Sequence, residues 1–291
     1  MMIKQGTERL NSPTVWLPDK LDAAWELKQQ LGSESCYIAG GTLLQTQWQK
    51  SVECPRHLIS LEKIKEMTGY EKTNVNGEAG IRIGALTTLA ACKEEPSLFS
   101  NIPLLQEAVK QVAAPAVRNR ATVGGNLMGK FGDLIPALMA LDAYLSFYDG
   151  DHLKLKRLLA WSGEINRSIL TAIFIPENQY LDQKSFFYKK LGFREAFTPS
   201  IVTISGCCQL NSQKEVLITR LAAGGSTTPY QRLSGCEKLL EGFTLSNQLL
   251  EDLFHAIREE FTTADDAFTS ADYKKTIAAN MIVSKIAGLA G

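Results

Sequence analysis

The spacing of apolar residues changes several times along the chain, and each change predicts an element. After Pro18-Asp19, Leu21, Ala24, Trp25, Leu27 and Leu31 recur at helical spacing, which predicts an amphipathic helix capped by Asp19 and ended by Gly32-Ser33. Cys36-Tyr37-Ile38-Ala39 reads as a short strand running into Gly40-Gly41, and helical spacing resumes from Thr42 to Trp48. His57 to Leu61 and Gly80 to Ala85 read as strands, with Asn76-Gly77 a turn between them. Leu86 to Cys92 fits a helix start. Pro103 to Ala114 is a second helix, with Leu104, Leu105, Ala108 and Val112 on one face. Ala121 to Asn126 repeats the pattern of a strand entering two glycines. A helix from Leu134 to Leu141 and a strand from Ala143 to Tyr148 follow.

The character of the chain changes near Ile175-Pro176-Glu177-Asn178. Beyond it, Ile201 to Leu210 and Glu215 to Ala222 read as an antiparallel pair across Asn211-Ser212, and helices follow at Gln231 to Glu241, Ser246 to Phe261 and Ala271 to Gly288. Strands followed by a helical tail predict a separate α+β domain, with the boundary at residues 176–182. No solenoid-type repeat is present.

With 291 residues the chain has room for one large domain or two to three modest ones. Hydrophobic residues make up 45% and charged residues 21%, ordinary for a soluble globular protein. Basic and acidic residues number 31 each, so no surplus points to nucleic acid or an anionic membrane. The N-terminal segment to Pro13 is polar, unlike a secretory signal. Leu134 to Phe147 is too short to span a bilayer and carries Asp142, so no membrane insertion is expected. Cys36, Cys54, Cys92, Cys207, Cys208 and Cys236 show neither zinc nor iron–sulfur spacing, which suits reduced thiols in the cytoplasm. His57, His152 and His255 are scattered and suggest no metal site. Asp265-Asp266 reads as a solvated loop between helices.

Ala39-Gly40-Gly41-Thr42 and Thr122-Val123-Gly124-Gly125-Asn126 are the segments that suggest chemistry. Residues without side chains let backbone approach a ligand closely, and they permit dihedrals that turn successive N–H groups inward, as a phosphate or pyrophosphate requires. Thr42, Thr122 and Asn126 add hydroxyl or amide donors. Either pair alone reads more often as just a tight turn; two of them, each followed by a polar residue, shift the balance. Neither has the spacing of a Rossmann fingerprint or a P-loop. Gly224-Gly225, ahead of a Pro229 turn, reads as structural.

Ala39-Gly40-Gly41-Thr42-Leu43-Leu44 resembles the first flavin-diphosphate loop of the FAD subunits of molybdenum hydroxylases, the family of xanthine and carbon monoxide dehydrogenase flavoproteins. Val117-Arg118-Asn119-Arg120-Ala121-Thr122-Val123-Gly124-Gly125-Asn126-Leu127 is similar to its second loop nearly throughout. Ile83 to Leu89, which includes Leu86, resembles the entry between the loops, and Pro136 to Ala143 the helix and strand that follow. Tyr188-Lys189-Lys190-Leu191-Gly192-Phe193-Arg194 is similar to the family's lysine-bearing strand, and Ser270 to Lys275 to the start of its last helix. The likeness runs in order from Pro13 to Ile286.

The resemblance implies an α+β fold: a two-lobed FAD-binding domain of the vanillyl-alcohol-oxidase/PCMH type in residues 1–177, split near residue 58, then a smaller domain in 178–291 with a three-stranded antiparallel sheet and a helical bundle. It implies non-covalent FAD, with Ala39, Gly40, Gly41, Thr42, Leu43, Leu44, Leu86, Thr122, Gly124, Gly125 and Asn126 as cofactor-binding residues. Asp133 is implied on the sugar or adenosine side, and Lys190 near the flavin ring, where a cation stabilises the reduced anion. By itself Lys190 reads as a solvated strand lysine, while Arg118 and Arg120 suit either phosphate or a structural contact. Leu43 stands where the family often has a polar residue. The segment from Asn126 to Asp133 is shorter than usual, with Met128-Gly129-Lys130-Phe131 in an altered run.

The implied partners are a large molybdopterin-binding subunit, a small 2Fe-2S iron–sulfur subunit and NAD+ or another acceptor, with a xanthine dehydrogenase-like complex favoured. Carbon monoxide, aldehydes and other N-heterocycles are alternative substrates. The rival readings are a stand-alone FAD oxidase or reductase and a scaffold that has lost FAD.

Overall fold

The computed structural model describes residues 12–49, 52–94, 102–129, 131–161, 168–177, 186–193 and 199–289. The sequence readings on residues 1–11, Lys130, residues 178–182 and Arg194 lie outside them.

The chain begins with β1 (Thr14–Trp16), α1 (Leu21–Leu31), β2 (Ser35–Ile38), α2 (Thr42–Gln49) and β3 (His57–Ser60). These strands form a parallel sheet in the order β1-β3-β2. Helix α1 buries Ala24 on this sheet and stops at Gly32, whose φ of 54° suits glycine. The residue at its N-cap is Lys20, and Asp19 is not the cap. The central strand, β3, carries Leu58 and ends at Ser60.

A second sheet is assembled from β4 (Tyr70–Val75), β5 (Glu78–Gly84), β6 (Tyr144–Tyr148), β7 (Leu153–Arg157) and β8 (Ile169–Pro176), in the order β4-β5-β8-β6-β7. Asn76 and Gly77, both at positive φ, close the β4–β5 hairpin. Strand β8 is buried almost throughout and sits at the centre. Between β5 and β6 run α3 (Leu89–Glu94), α4 (Pro103–Gln111), α5 (Pro115–Arg118), α6 (Val123–Met128) and α7 (Ile135–Ala140). Pro103 stands in the first turn of α4, where its missing N–H costs nothing, and Leu104, Leu105, Ala108 and Val109 form the buried face. One apolar core joins these elements and takes in the buried rings of Tyr188 and Tyr230 from the C-terminal sheet.

That C-terminal sheet is antiparallel and has four strands, β9 (Phe186–Gly192), β10 (Ser200–Leu210), β11 (Val216–Gly225) and β12 (Thr228–Arg232), in the order β12-β11-β10-β9. The expected three strands are thus joined by a short fourth at the edge. Its Pro229 is tolerated there because an edge strand can spare an N–H. Helices α8 (Ser234–Leu240), α9 (Asn247–Glu260) and α10 (Ala271–Leu289) cover one face and share with it a second apolar core. No described helix is long and apolar enough to cross a membrane.

The loop into α10 is largely exposed, as the sequence suggested, yet both of its aspartates are hydrogen-bonded. Asp266 accepts hydrogen bonds from the Phe268 and Thr269 amides, both at 2.9 Å, and from the Thr227 hydroxyl at 2.9 Å. It also pairs at 2.7 Å with the wholly buried Lys274. Asp265 accepts from the Ala271 amide at 2.6 Å.

The other face of the sheet packs on α7, and Asp142, just beyond that helix, locks the contact. Its carboxylate meets Arg220 Nε at 2.9 Å and Arg232 Nη1 at 2.8 Å, and Arg232 also pairs with Glu237. Burial pushes the Asp142 carboxyl up, but the hydrogen bonds and charges of Arg232 and Arg220 outweigh it and hold it below the usual carboxylate range. Asp142 has a φ of 50°, which asparagine tolerates, so Asp142→Asn removes charge with little backbone strain. The substitution is expected to cost about 2 kcal/mol at pH 7, less than a fully buried pair because the site is partly exposed. A carboxyl held low in the folded state stabilises above its unfolded pKa and loses that contribution as pH falls through the folded value. Urea unfolding of both proteins is therefore expected to show a gap at neutral pH that closes in acid.

Candidate functional site

The two glycine segments, distant in sequence, meet in space. Ala39 and Gly40 form the bend that leaves β2, and Gly41 follows with a φ of 72°. Helix α2 begins at Thr42, so Thr42, Leu43 and Leu44 form its first turn. The amides of a first helical turn have no acceptor within the helix and carry the positive end of its dipole. Gly40 makes the junction possible. A Cβ added there would lie 1.8 Å from the Arg120 carbonyl oxygen, and Arg120 Nε donates to the Gly40 carbonyl at 3.3 Å. Leu43, 45% exposed, leans on Gly129, where a Cβ would lie 2.8 Å from Leu43 Cδ2.

The second segment is a helix start rather than a strand-and-glycine turn. Thr122 pairs with Thr88 in an isolated bridge and then caps α6, its hydroxyl accepting from the Gly125 amide at 3.0 Å. The Val123 amide donates to the Thr87 carbonyl at 3.0 Å, Gly124 to Ala85 at 2.8 Å and Asn126 to Thr122 at 2.9 Å. The turn after β5, which buries Leu86, is thus the seat of α6. Each amide from Val123 to Asn126 already has an acceptor in the protein, so this loop offers a bare surface more than free donors. Gly124 is needed for packing, since a Cβ there would lie 2.7 Å from the Ala85 Cβ. Gly125 is exposed. Among the described residues only the Thr122 hydroxyl, at 3.0 Å, comes within 4 Å of a Cβ placed on it. It is the position where a ligand can touch backbone.

A polar cluster adjoins these loops. The Asn126 side-chain oxygen accepts from the Leu134 amide at 3.0 Å and so fixes the segment that carries Asp133. Asp133 Oδ2 pairs with Lys190 Nζ at 2.6 Å, both side chains largely buried. Tyr188 donates to the Asp133 backbone carbonyl at 2.7 Å; Ser200 and Tyr230 donate to Oδ1, each at 3.3 Å. Burial, and then the charge of Asp133, push both tyrosine hydroxyls well above their ordinary range, so they are neutral donors.

Asp133 and Lys190 were expected at different parts of a ligand, and the structure joins them in one ion pair instead. Lys190 is not a solvated strand lysine. Arg118 is structural: it is buried and donates to the carbonyls of Val112 and Ala113 beyond α4. Arg120 bridges the two loops. Sequence reasoning gave no role to Tyr188, Ser200 or Tyr230. Tyr188 was legible from the two-residue period of β9, which puts it on the face of Lys190. Ser200 and Tyr230 are brought in by strand pairing alone.

Residues 9–178 match the family described as "FAD binding domain in molybdopterin dehydrogenase", and residues 187–287 match "CO dehydrogenase flavoprotein C-terminal domain". The chain is 25% identical over 280 residues, 92% of its own length and 91% of the relative's, to the 6-hydroxypseudooxynicotine dehydrogenase complex subunit alpha of Paenarthrobacter nicotinovorans. It is 27% identical over 255 residues, 82% of each chain, to the nicotinate dehydrogenase FAD-subunit of Eubacterium barkeri. Among solved structures, a chain of the carbon monoxide dehydrogenase of Hydrogenophaga pseudoflava shares the fold, with a TM-score of 0.84 at 22% identity over 94% of this chain and 95% of that one. The first family match covers more than half of the sequence and both glycine segments, and the chain belongs to the FAD-binding family of the molybdopterin dehydrogenases.

Proposed function

We propose that this chain is the electron-transfer subunit of a cytoplasmic, xanthine dehydrogenase-like molybdenum hydroxylase whose substrate is an N-heterocycle. The observation that carries the reading is the contact between Gly40 and Arg120, which brings two side-chain-poor segments to one place. In the proposed division, residues 1–177 bind FAD, with the first lobe running through β3, and residues 178–291 form the C-terminal domain.

The residues fit the cofactor. Ala39 to Leu44 would hold the diphosphate through the first-turn amides of α2 and the Thr42 hydroxyl. Thr122, Gly124 and Gly125 would give it a close, bare wall, while Leu86 and Asn126 fix the shape of that wall. The Asp133–Lys190 pair, at the join with the C-terminal sheet, would lie beside the ring. Bound FAD supplies the redox chemistry. The protein's own part is to hold the diphosphate, exclude water and set the charge around the ring. Its electrons would come from a 2Fe-2S subunit fed by a molybdopterin subunit, and would pass to NAD+ or another acceptor. Support for such a complex comes from two relatives named as a complex subunit and an FAD-subunit; both names also point to pyridine-type substrates.

The purified chain is expected to be yellow, with absorbance near about 370 and 450 nm. A colourless protein that ignores added FAD would refute the reading and leave a scaffold. Affinity capture from its source is expected to bring an iron–sulfur and a molybdenum subunit, and the captured complex to oxidise purines or pyridines. Isolation of a chain that oxidises substrates alone would instead identify a stand-alone enzyme, and carbon monoxide as sole substrate would refute the heterocycle.

The two loops are separable by mutation. Gly125→Val is expected to weaken FAD binding at least about 100-fold while leaving the melting temperature of the apoprotein nearly unchanged. Gly40→Ala is expected to destabilise even the apoprotein, by about 2 kcal/mol, because the new methyl must push Arg120 away. Calorimetry with and without FAD distinguishes the two effects.

A further inference from the structure

Three strands of the C-terminal sheet send side chains to a single residue of the other domain. Lys190 and Tyr188 come from β9, Ser200 from the start of β10 and Tyr230 from β12, and all four bond Asp133. The hydroxyl donors are deeply placed: Ser200 is 1% exposed and Tyr230 8%. Tyr230 reaches Asp133 because Gly224 on the neighbouring strand gives up its space. A Cβ at Gly224 would lie 2.3 Å from Tyr230 Cδ1. Ser200 is fixed in turn by Ser226, whose amide and hydroxyl donate to its carbonyl at 2.9 and 2.7 Å. The Gly224-Gly225 pair is therefore part of a device that aims a phenol at a carboxylate.

We propose that Tyr230, seated by Gly224 and assisted by Ser200, is a positioning residue that fixes the Asp133 carboxylate and, through it, the charge of Lys190 beside the flavin. A lysine ammonium on a flexible stem has no fixed place unless a partner supplies one. Asp133 is that partner, but its own negative charge opposes electron uptake by the ring. Two hydroxyls donating to Oδ1 offset part of that charge and hold Oδ2 on Lys190. Removing a donor frees the carboxylate and makes the site more negative, which disfavours the reduced flavin. The inference rests on the proposed placement of FAD and adds to it a residue that need not touch the cofactor.

The test is the midpoint potential of bound flavin, measured by reductive titration against reference dyes, with FAD content counted separately. Tyr230→Phe keeps the ring and is expected to retain one FAD per chain while shifting the reduction equilibrium about tenfold toward oxidised flavin, equivalent to about 30 mV. Gly224→Ala, which displaces the same ring, and Ser200→Ala, which removes the other donor, are expected to shift the potential in the same direction. Lys190→Met gives the larger shift. Unchanged potentials in Tyr230→Phe and Ser200→Ala, at full FAD content, would overturn the inference while leaving the flavoprotein reading intact. A wild-type chain that binds no FAD would overturn both.

Discussion

One close approach governs the site: the Gly40 backbone rests against the Arg120 carbonyl, in space that any side chain would occupy. Glycine is required there for the protein's own packing, not for a left-handed dihedral. The contact couples the first sheet to the segment ahead of α6, and Leu43 in the first turn of α2 rests on Gly129 at the end of α6. The two loops contribute differently. One brings a helix terminus whose first N–H groups have no acceptor among the described residues, and the other brings a helix start whose amides are already bonded to the turn after β5 and to Thr122. An anion held between them, as proposed, would meet donors on one side and bare backbone on the other.

A second constraint fixes how the domains join. Helix α7 has an aspartate before its first turn and another after its last. The C-terminal sheet grips both, Asp133 through β9, β10 and β12, and Asp142 through Arg220 of β11 and Arg232 of β12. Apolar packing of Tyr188 and Tyr230 into the first core continues the same surface. Because Asp133 is tied through Asn126 to the second loop, the position of Lys190 depends on the glycine segments, the α7 contact and the sheet together. Under the proposed placement of FAD, that chain of contacts would let the C-terminal sheet set the charge near a cofactor held mainly by the glycine segments.

The parts of the fold legible in the sequence were those with strong periodicity or glycine punctuation. Helix α1 and α4, strands β2, β3 and β5, and the long C-terminal helices follow from spacing. Three edge strands did not. Strand β4 is largely polar, β7 alternates leucine with lysine and arginine, and β12 contains a proline, because an edge needs neither two buried faces nor every N–H. The central strand β8 escaped notice for the opposite reason: a short run that is apolar on both faces has no period. At the site, both glycine segments and Lys190 were visible through their resemblance to a family. Their linkage through Arg120, and the convergence of Ser200 and Tyr230 on Asp133, depend on pairings between residues far apart in the chain, which a local pattern does not encode.

The most direct test of the central claim is a crystal or cryo-EM structure of the FAD-bound chain. Density for the diphosphate is expected between residues 40–44 and residues 122–125, in contact with both. Diphosphate bound elsewhere, or a bound state in which those segments have moved apart, would contradict the account.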